Sequence, residues 1–376
     1  MLWGYTARNL WERRSFVLPT SAAIALSVGA VTVMAGMMAG IRTTVQASAG
    51  ERSAVVTSEG SINESFSFLG RDVLPLLGAA PAVEAAEGRP LISPEVLAPF
   101  ELRTVEDGTY RSMLVRAVEP AAYGLHRVRL REGRLPRRGE PGLVVGANLH
   151  RRFHGLGAGE PMEIGAVRWP VLGVMEGGGT RFDSEVWCDL EALAHALRRE
   201  TLSIAYVRLR EGARPEDLRA QVARAAKVDV RSETEHLGLV LSGVASYERA
   251  IAVLGLLLGI GALFATLNAL HALILARAGE LATLLALGFT RRQVAGLLVQ
   301  EALLLAAGAG ALGVLGARAF HGASFSYSEL SLVYRATISP GVALLGAGAA
   351  LAIGLLGGLL AVLQARRIQV LDTLRG

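Results

Sequence analysis

Residues 276–294 read Ala276-Arg-Ala-Gly-Glu-Leu-Ala-Thr-Leu-Leu-Ala-Leu-Gly-Phe-Thr-Arg-Arg-Gln-Val294. From Glu280 to Leu287 the spacing predicts a two-turn helix, with Leu281, Leu284 and Leu285 on one face at i, i+3, i+4. Glu280 stands near its N-terminus, where the helix dipole favours negative charge. Gly288 suits the position that ends it. Thr290 and Gln293 have the spacing of a capping box that opens the next helix. On both sides the charges stop. Ala250–Ala276 holds no Asp, Glu, Lys or Arg, and Gln293–Ala317 holds only Glu301. About 20 helical residues at 1.5 Å each cross a hydrocarbon core of roughly 30 Å. The stretch is therefore a short helical loop between two membrane spans.

Working outward, Ser15–Ile41 and Ala336–Ala365 are equally free of charge. Charged residues make up 19% of the 376, against about 25% in soluble chains. Four such segments exclude an ordinary soluble protein. A secretory signal has a hydrophobic core of only about 7–15 residues. The first segment is far longer, so it reads as a retained anchor even though Ala47-Ser48-Ala49 follows it. The lone Cys188 excludes an internal disulfide.

Charge sets the orientation. Segments 1–14, 277–292 and 366–376 each carry net +2, whereas 42–249 balances 27 basic against 28 acidic residues. Positive charge in short loops marks the cytoplasmic side. The expected order is a cytoplasmic amphipathic N-terminus (1–14), a first span (15–41) and an extracytoplasmic α+β domain (42–249). A second span (250–276), a cytoplasmic coupling loop (277–292) and a third span (293–317) follow. An extracytoplasmic loop (318–335), a fourth span (336–365) and a cytoplasmic tail (366–376) complete the chain. The fold class is a four-helix transmembrane protein with an α+β domain inserted between helices 1 and 2. The sequence pI near 9.8 reports this topology and not nucleic-acid binding.

Within 42–249, short Val- and Ile-rich runs predict strands at Ser53–Ser58, Ser112–Val118, Gly142–Val145 and Met162–Ile164. Similar runs at Trp169–Val174, Glu185–Cys188, Ser203–Leu209 and Val228–Val230 predict four more. Helices are expected at Asp72–Leu77, Leu149–Phe153, Leu190–Arg198 and Pro215–Ala226. A helix over 236–249 should run on into the second span.

Motifs for chemistry are mostly missing. Lys227 is the only lysine and Ala226 precedes it, so the chain cannot form a Gly-Lys-Ser/Thr phosphate loop. Arg224 occupies the serine place of a Ser-x-x-Lys site, and neither Gly-x-Ser-x-Gly nor His-Glu-x-x-His occurs. No catalytic residue and no metal site is assigned. His150 and His154 make half a metal site at best, and Cys188 reads as a buried thiol. Gly308-Ala-Gly-Ala-Leu-Gly313 matches the dinucleotide fingerprint in letters, but inside a span it reads as close helix packing. So do the pairs Gly36/Gly40, Gly255/Gly259 and Gly354/Gly358. Asn268 and Glu301 are the membrane-embedded polar residues. A carboxylate at mid-helix is costly in lipid, so Glu301 should face protein or water, either as a proton or gating site or as a packed carboxyl that pairs with Arg277 or a hydroxyl or lies near the inner interface.

The pattern of Arg277, Glu280, Leu281, Leu284, Leu285, Ala286, Leu287, Gly288, Arg291, Arg292 and Gln293, followed by Glu301-Ala302, resembles the MacB/FtsX-type ABC transporter permeases. Arg8-Asn9-Leu10 with Arg13-Arg14 resembles that family's N-terminus. Ala365–Arg375 resembles its C-terminus, with Val370-Leu-Asp-Thr373 in place of the usual Asp-Pro. Gly142–Ala147 and Gly157–Glu160 resemble its outer domain more loosely.

The resemblance implies a type VII half-permease without a fused ATPase. It would sit in the bacterial inner membrane with both termini cytoplasmic. It would pair with a second copy or a paralogue and with a separate ABC ATPase that binds the ATP and magnesium. No cofactor is expected in this chain. Glu280, Leu281, Leu284, Leu285, Leu287, Gly288, Arg291 and Arg292 would couple to that ATPase. The implied work is export or extraction of a lipoprotein, peptide, lipid or amphiphile, with membrane lipids and a periplasmic adaptor as further partners. The alternative is a mechanical regulator of an extracytoplasmic cell-wall hydrolase.

Overall fold

In a computed structural model, the chain is described over residues 14–50, 52–61, 64–103, 108–150, 153–164, 167–222, 225–242, 245–327 and 332–365. Among the described residues, four helices are long and apolar enough to cross a membrane: Val17–Gln46, Glu248–Ala276, Arg291–Arg318 and Pro340–Leu363. The chain divides into two units. One comprises Met1–Gly40, Ser246–Ala323 and Ala336–Gly376; the other comprises Ile41–Ala245 and Ser324–Arg335.

In the first unit, missing side chains let helices approach. A Cβ on Gly313 would lie 3.0 Å from the Gly29 nitrogen, and one on Gly354 2.6 Å from the Ala306 Cβ. Gly310 and Gly313 of the Gly308–Gly313 fingerprint are thus packing positions, as van der Waals association in lipid requires, whereas Gly308 has nothing within 4 Å of its would-be Cβ. A Cβ on Gly255 would lie 3.4 Å from Val31 of the first span, whereas Gly259 has nothing within 4 Å of its would-be Cβ, so only Gly255 of that pair is a packing position among the described residues. The fourth helix begins at Pro340, four residues later than charge alone suggests. Proline disfavours helical backbone at Ser339, and the Ser339 Oγ accepts the Val342 N–H at 3.3 Å. The first helix continues past Ile41 through Arg42-Thr-Thr-Val-Gln46, because loss of apolar character need not end a helix.

The second unit is built on a ten-stranded mixed sheet. Its strands are β1 (Ser53–Ser58), β4 (Ile92–Arg103), β5 (Tyr110–Val118), β6 (Arg129–Gly133) and β7 (Leu143–Gly146). The others are β8 (Pro161–Ile164), β9 (Val167–Glu176), β10 (Glu185–Asp189), β11 (Ile204–Arg208) and β12 (Val228–Ser232). Short β2 (Ala85–Ala86) and β3 (Arg89–Pro90) form a separate ladder, as do β13 (Ser324–Tyr327) and β14 (Leu332–Arg335). The order is β12-β1-β11-β4-β5-β10-β7-β9-β6, with β8 on β9. Pairs β5/β10 and β7/β9 are parallel.

The eight expected strands all occur, with ends shifted by up to two residues. β4 was not expected, because Pro94 and Pro99 break its pattern. Its residues 92–95 pair with β11 and 96–103 with β5. Each half therefore has one unpaired side, where a proline nitrogen removes no ladder bond.

One sheet face packs Val56, Val115, Val186 and Val207 against Leu77, Leu193 and Leu218 of the helices Val73–Ala79, Leu190–Leu197 and Pro215–Val222. Cys188 is fully buried there, and burial pushes its thiol pKa far up. Val333 of β14 joins the same core. Ser184 Oγ donates to the Val333 carbonyl at 3.1 Å, and the Val333 N–H donates back at 3.0 Å. The connection between the third and fourth spans is thus structurally part of the outer domain. Ala147–His150 form a turn where a helix at Leu149–Phe153 was expected. Leu149 and Phe153 are buried, and burial rather than helical periodicity accounts for their spacing. The helices Glu233–Ser242 and Ala245–Ala276 cover the described part of the expected 236–249 helix. The join at Gly243 and Val244 lies outside the described residues.

Candidate functional site

The loop between the second and third spans folds as a helix over Ala278–Ala286. Gly288, at φ +95°, ends it. The Phe289 N–H donates to Leu284 C=O at 3.1 Å and the Gly288 N–H to Leu285 C=O at 3.1 Å. This pair of bonds is the Schellman termination, which needs a left-handed residue where glycine costs least. Thr290 Oγ1 then accepts the Gln293 N–H, and Gln293 Oε1 accepts the Thr290 N–H, completing the capping box. The turn is fixed at both ends.

The side chains divide into two sets. Leu281 is buried and Leu284 half-buried, packing with Leu270, Leu273 and Leu298 of the neighbouring spans. These two seat the loop. Leu285 is half-buried, while Leu287, Gly288, Phe289, Arg291 and Arg292 are exposed, Leu287 to 73%. The outward surface thus includes Phe289, which the sequence pattern did not single out.

Arg277 ties this loop to the bundle. Only 1% exposed, it donates from Nη1 to Glu301 Oε1 at 2.7 Å and from Nε to Glu280 Oε2 at 2.9 Å. Glu301 is fully buried, whereas the Glu280 side chain is half-exposed. Of the alternatives for Glu301, the pairing with Arg277 is present, and it extends to the loop helix. Asn268 is exposed on its helix.

A second ion cluster lies on the outer-domain sheet face opposite the main core. Adjacent strands β11, β4, β5 and β10 contribute Tyr206, Glu95, Arg116 and Glu185. The Arg116 guanidinium is fully buried. It donates to both Glu185 oxygens at 2.6 and 2.7 Å and to Glu95 at 2.5 Å. His126 Nε2 meets Glu95 at 2.6 Å, and the Trp187 indole donates to Glu185 at 2.9 Å. Glu64 gathers Arg181 at 2.9 Å and His236 at 2.9 Å. Burial alone would raise the Glu64 and Glu95 carboxyls. Arg181, His236 and Arg116 outweigh it at Glu64, and His126 and Arg116 outweigh it at Glu95, so both lie below the usual range. Burial opposes the charge on Arg116, but Glu185 and Glu95 hold its pKa well above the ordinary value.

This cluster touches each chain connection to the spans. The Arg181 N–H donates to Oγ of Ser48, just past the first span, at 3.1 Å. The Gly50 N–H donates to Glu233 at 2.8 Å, and His236 lies on the same helix, which precedes the second span. Ser184, beside Glu185, holds β14 between the third and fourth spans. No local motif marks these residues in the sequence, although Arg116 in Ser-Met-Leu-Val-Arg-Ala-Val is a signal: a lone charge inside an apolar strand requires a buried partner.

Among the described residues no group of three or more His, Cys, Asp or Glu could hold a metal. His150 and His154 contribute to none, and His150 Nδ1 lies 3.1 Å from the Leu156 carbonyl.

Residues 18–225 match the family of MacB-like periplasmic core domains, and 252–370 match the FtsX-like permease C-terminal family. No curated protein matches the chain. Among solved structures, the periplasmic region of MacB from Actinobacillus actinomycetemcomitans is similar at 9% identity and a TM-score of 0.37. That match covers 50% of this chain and 91% of that one. The extracellular domain of the noncanonic ABC-type transporter YknZ from Gram-positive bacteria is similar at 10% identity and a TM-score of 0.36, covering 48% and 99%. With one family across the first span and outer domain and the other across the remaining spans, the chain belongs to the MacB/FtsX-type ABC transporter permeases and is a multi-pass membrane protein.

Proposed function

We propose that this permease converts ATP hydrolysis in a separate ABC ATPase into movement of its outer domain, for export or extraction of a lipoprotein, peptide, lipid or amphiphile. The observation that carries this reading is the loop helix Ala278–Ala286. Both ends of its turn are capped, and Leu287, Phe289, Arg291 and Arg292 face outward beside a helix seated by Leu281 and Leu284. A rigid apolar and cationic knob suits a groove on a partner. Glu280 bonds to Arg277, and through it to Glu301, so a push on the loop reaches the second and third spans directly. At the outer domain, the Glu64–Arg181–His236 cluster joins the segments that follow the first span and precede the second. On this reading the chain works in the bacterial inner membrane with the loop, and both termini, in the cytoplasm. It acts with a second copy or paralogue, and ATP and magnesium bind the partner.

The test is to purify the tagged chain from native membranes in mild detergent and identify stoichiometric partners by mass spectrometry. An ABC ATPase that is lost on Leu287→Asp or Arg291→Glu supports the proposal, and its absence even with trapped nucleotide overturns it. An adaptor in the same eluate assigns the outer motion to export. A cell-wall hydrolase there assigns it to regulation.

A further inference from the structure

A groove of about 720 Å³ opens between the helices Arg291–Arg318 and Pro340–Ala365. Its walls combine small side chains, Ala307, Ala311, Ala343 and Ala347, with larger apolar ones such as Leu315 and Leu344. Its floor is closed where Gly310 packs on Ala350, because a Cβ on Gly310 would lie within 2.3 Å of the Ala350 Cβ. The lining begins at Ala307 and ends at Arg318, eleven residues further along one helix. On the antiparallel helix it runs from Pro340 to Leu351, with Ile338 and Ser339 just ahead of that helix. At 1.5 Å per residue that is about 16 Å, half of a 30 Å hydrocarbon core. The groove therefore spans one leaflet, from near the middle of the bilayer to its surface.

Charge marks the surface end. Arg318 is the one charged residue lining the groove among the described residues, and it is exposed. No ion pair or side-chain hydrogen bond is formed by Arg318 among the described residues. A cation at the headgroup level above a largely apolar slot one acyl chain long is complementary to a lipid with a negative phosphate. We propose that this groove holds one resident anionic phospholipid. An acyl chain lies along Ala311 and Ala347, and the phosphate rests on Arg318. The proposal requires only that these helices cross the membrane and is independent of ATPase coupling.

Native mass spectrometry of the full chain in mild detergent, offered equimolar palmitoyl-oleoyl phosphatidylglycerol and phosphatidylcholine, tests it. One phosphatidylglycerol should be retained per chain, with about a fivefold preference, the worth of one interfacial arginine. Arg318→Gln should bring that ratio close to one. Ala311→Trp should fill the slot and abolish retention of both lipids. Because Arg318 is exposed, its variant should still fold if Ala311→Trp does not. Equal retention of the two lipids by the natural chain overturns the proposal, as does an unchanged preference in Arg318→Gln. A natural chain that holds no lipid but loses oligomers on Ala311→Trp also overturns it, making the groove a contact between copies. None of these outcomes bears on whether an ATPase copurifies.

Discussion

Arg116 in the outer domain and Arg277 in the bundle are buried to the same degree, yet they are held differently. Arg116 is surrounded by Glu64, Glu95 and Glu185, all buried and two of them on neighbouring strands of one sheet. Arg277 divides its guanidinium between fully buried Glu301 and half-exposed Glu280. The first arrangement has no free member to move. The second joins one fixed carboxylate to one that a partner or solvent can reach. Equal burial can thus serve a rigid joint or a latch, and the exposure of the weakest partner distinguishes them.

The largest expected effect breaks the rigid case. Arg116→Ala leaves three carboxylates buried without their shared cation. Breaking one buried pair costs about 3–5 kcal/mol, so the outer domain should not fold. Trp169 and Trp187 are fully buried in that domain, and a red-shifted emission in the detergent-solubilised chain would report the loss. Arg116→Lys should rescue little, because an ammonium lacks the planar fork that grips Glu185.

Arg277→Gln should cost a similar amount but leave Trp169 and Trp187 in their native environment, since the damage stays in the bundle. The double variant with Glu301→Gln should recover most of the lost thermal stability. If it recovers none, the pair is not a discrete unit. Acid offers a third contrast. Glu64 and Glu95 have folded-state pKa values below the ordinary 4.5. Their contribution is complete above that value and is lost as pH falls through the depressed values. Outer-domain melting followed by tryptophan emission should be flat from about pH 7 to 5 and fall below about 4.5, and Glu95→Gln should reduce that slope. The smallest structural effect belongs to Glu280→Gln, at most about 1 kcal/mol for a half-exposed pair. If the latch reading holds, the same change should still weaken ATPase copurification by about tenfold, equal to about 1.4 kcal/mol.

What the sequence made legible follows from which interactions are local. Span lengths, the Thr290–Gln293 box and Gly288 depend on residues within a few positions of one another. Hence the four spans and the loop could be read directly, along with the family pattern they carry. β4 was hidden because its prolines are tolerated only through a change of neighbour at residue 95–96, which no local pattern records. The outer ion cluster joins Glu64, Glu95, Arg116, Arg181 and His236 across more than 170 positions, so only the folded sheet brings them together. Within the loop, spacing placed the leucines on one face but could not tell that Leu281 and Leu284 point into the bundle while Leu287 points away.

The seating of Val333 beside Ser184 has a consequence for biosynthesis. Ribosomes add about 5–20 residues per second, so Val333 emerges several seconds or more after Ala245, the last residue of the domain's main segment. Until then the core lacks one of its side chains, and the Ser184 hydroxyl lacks its backbone partner. The missing piece comes from the turn between the third and fourth spans. A nascent chain that threaded the third helix in the wrong direction would leave that hairpin across the bilayer from its seat. Completion of the outer domain therefore records that the later helices were inserted in the right sense.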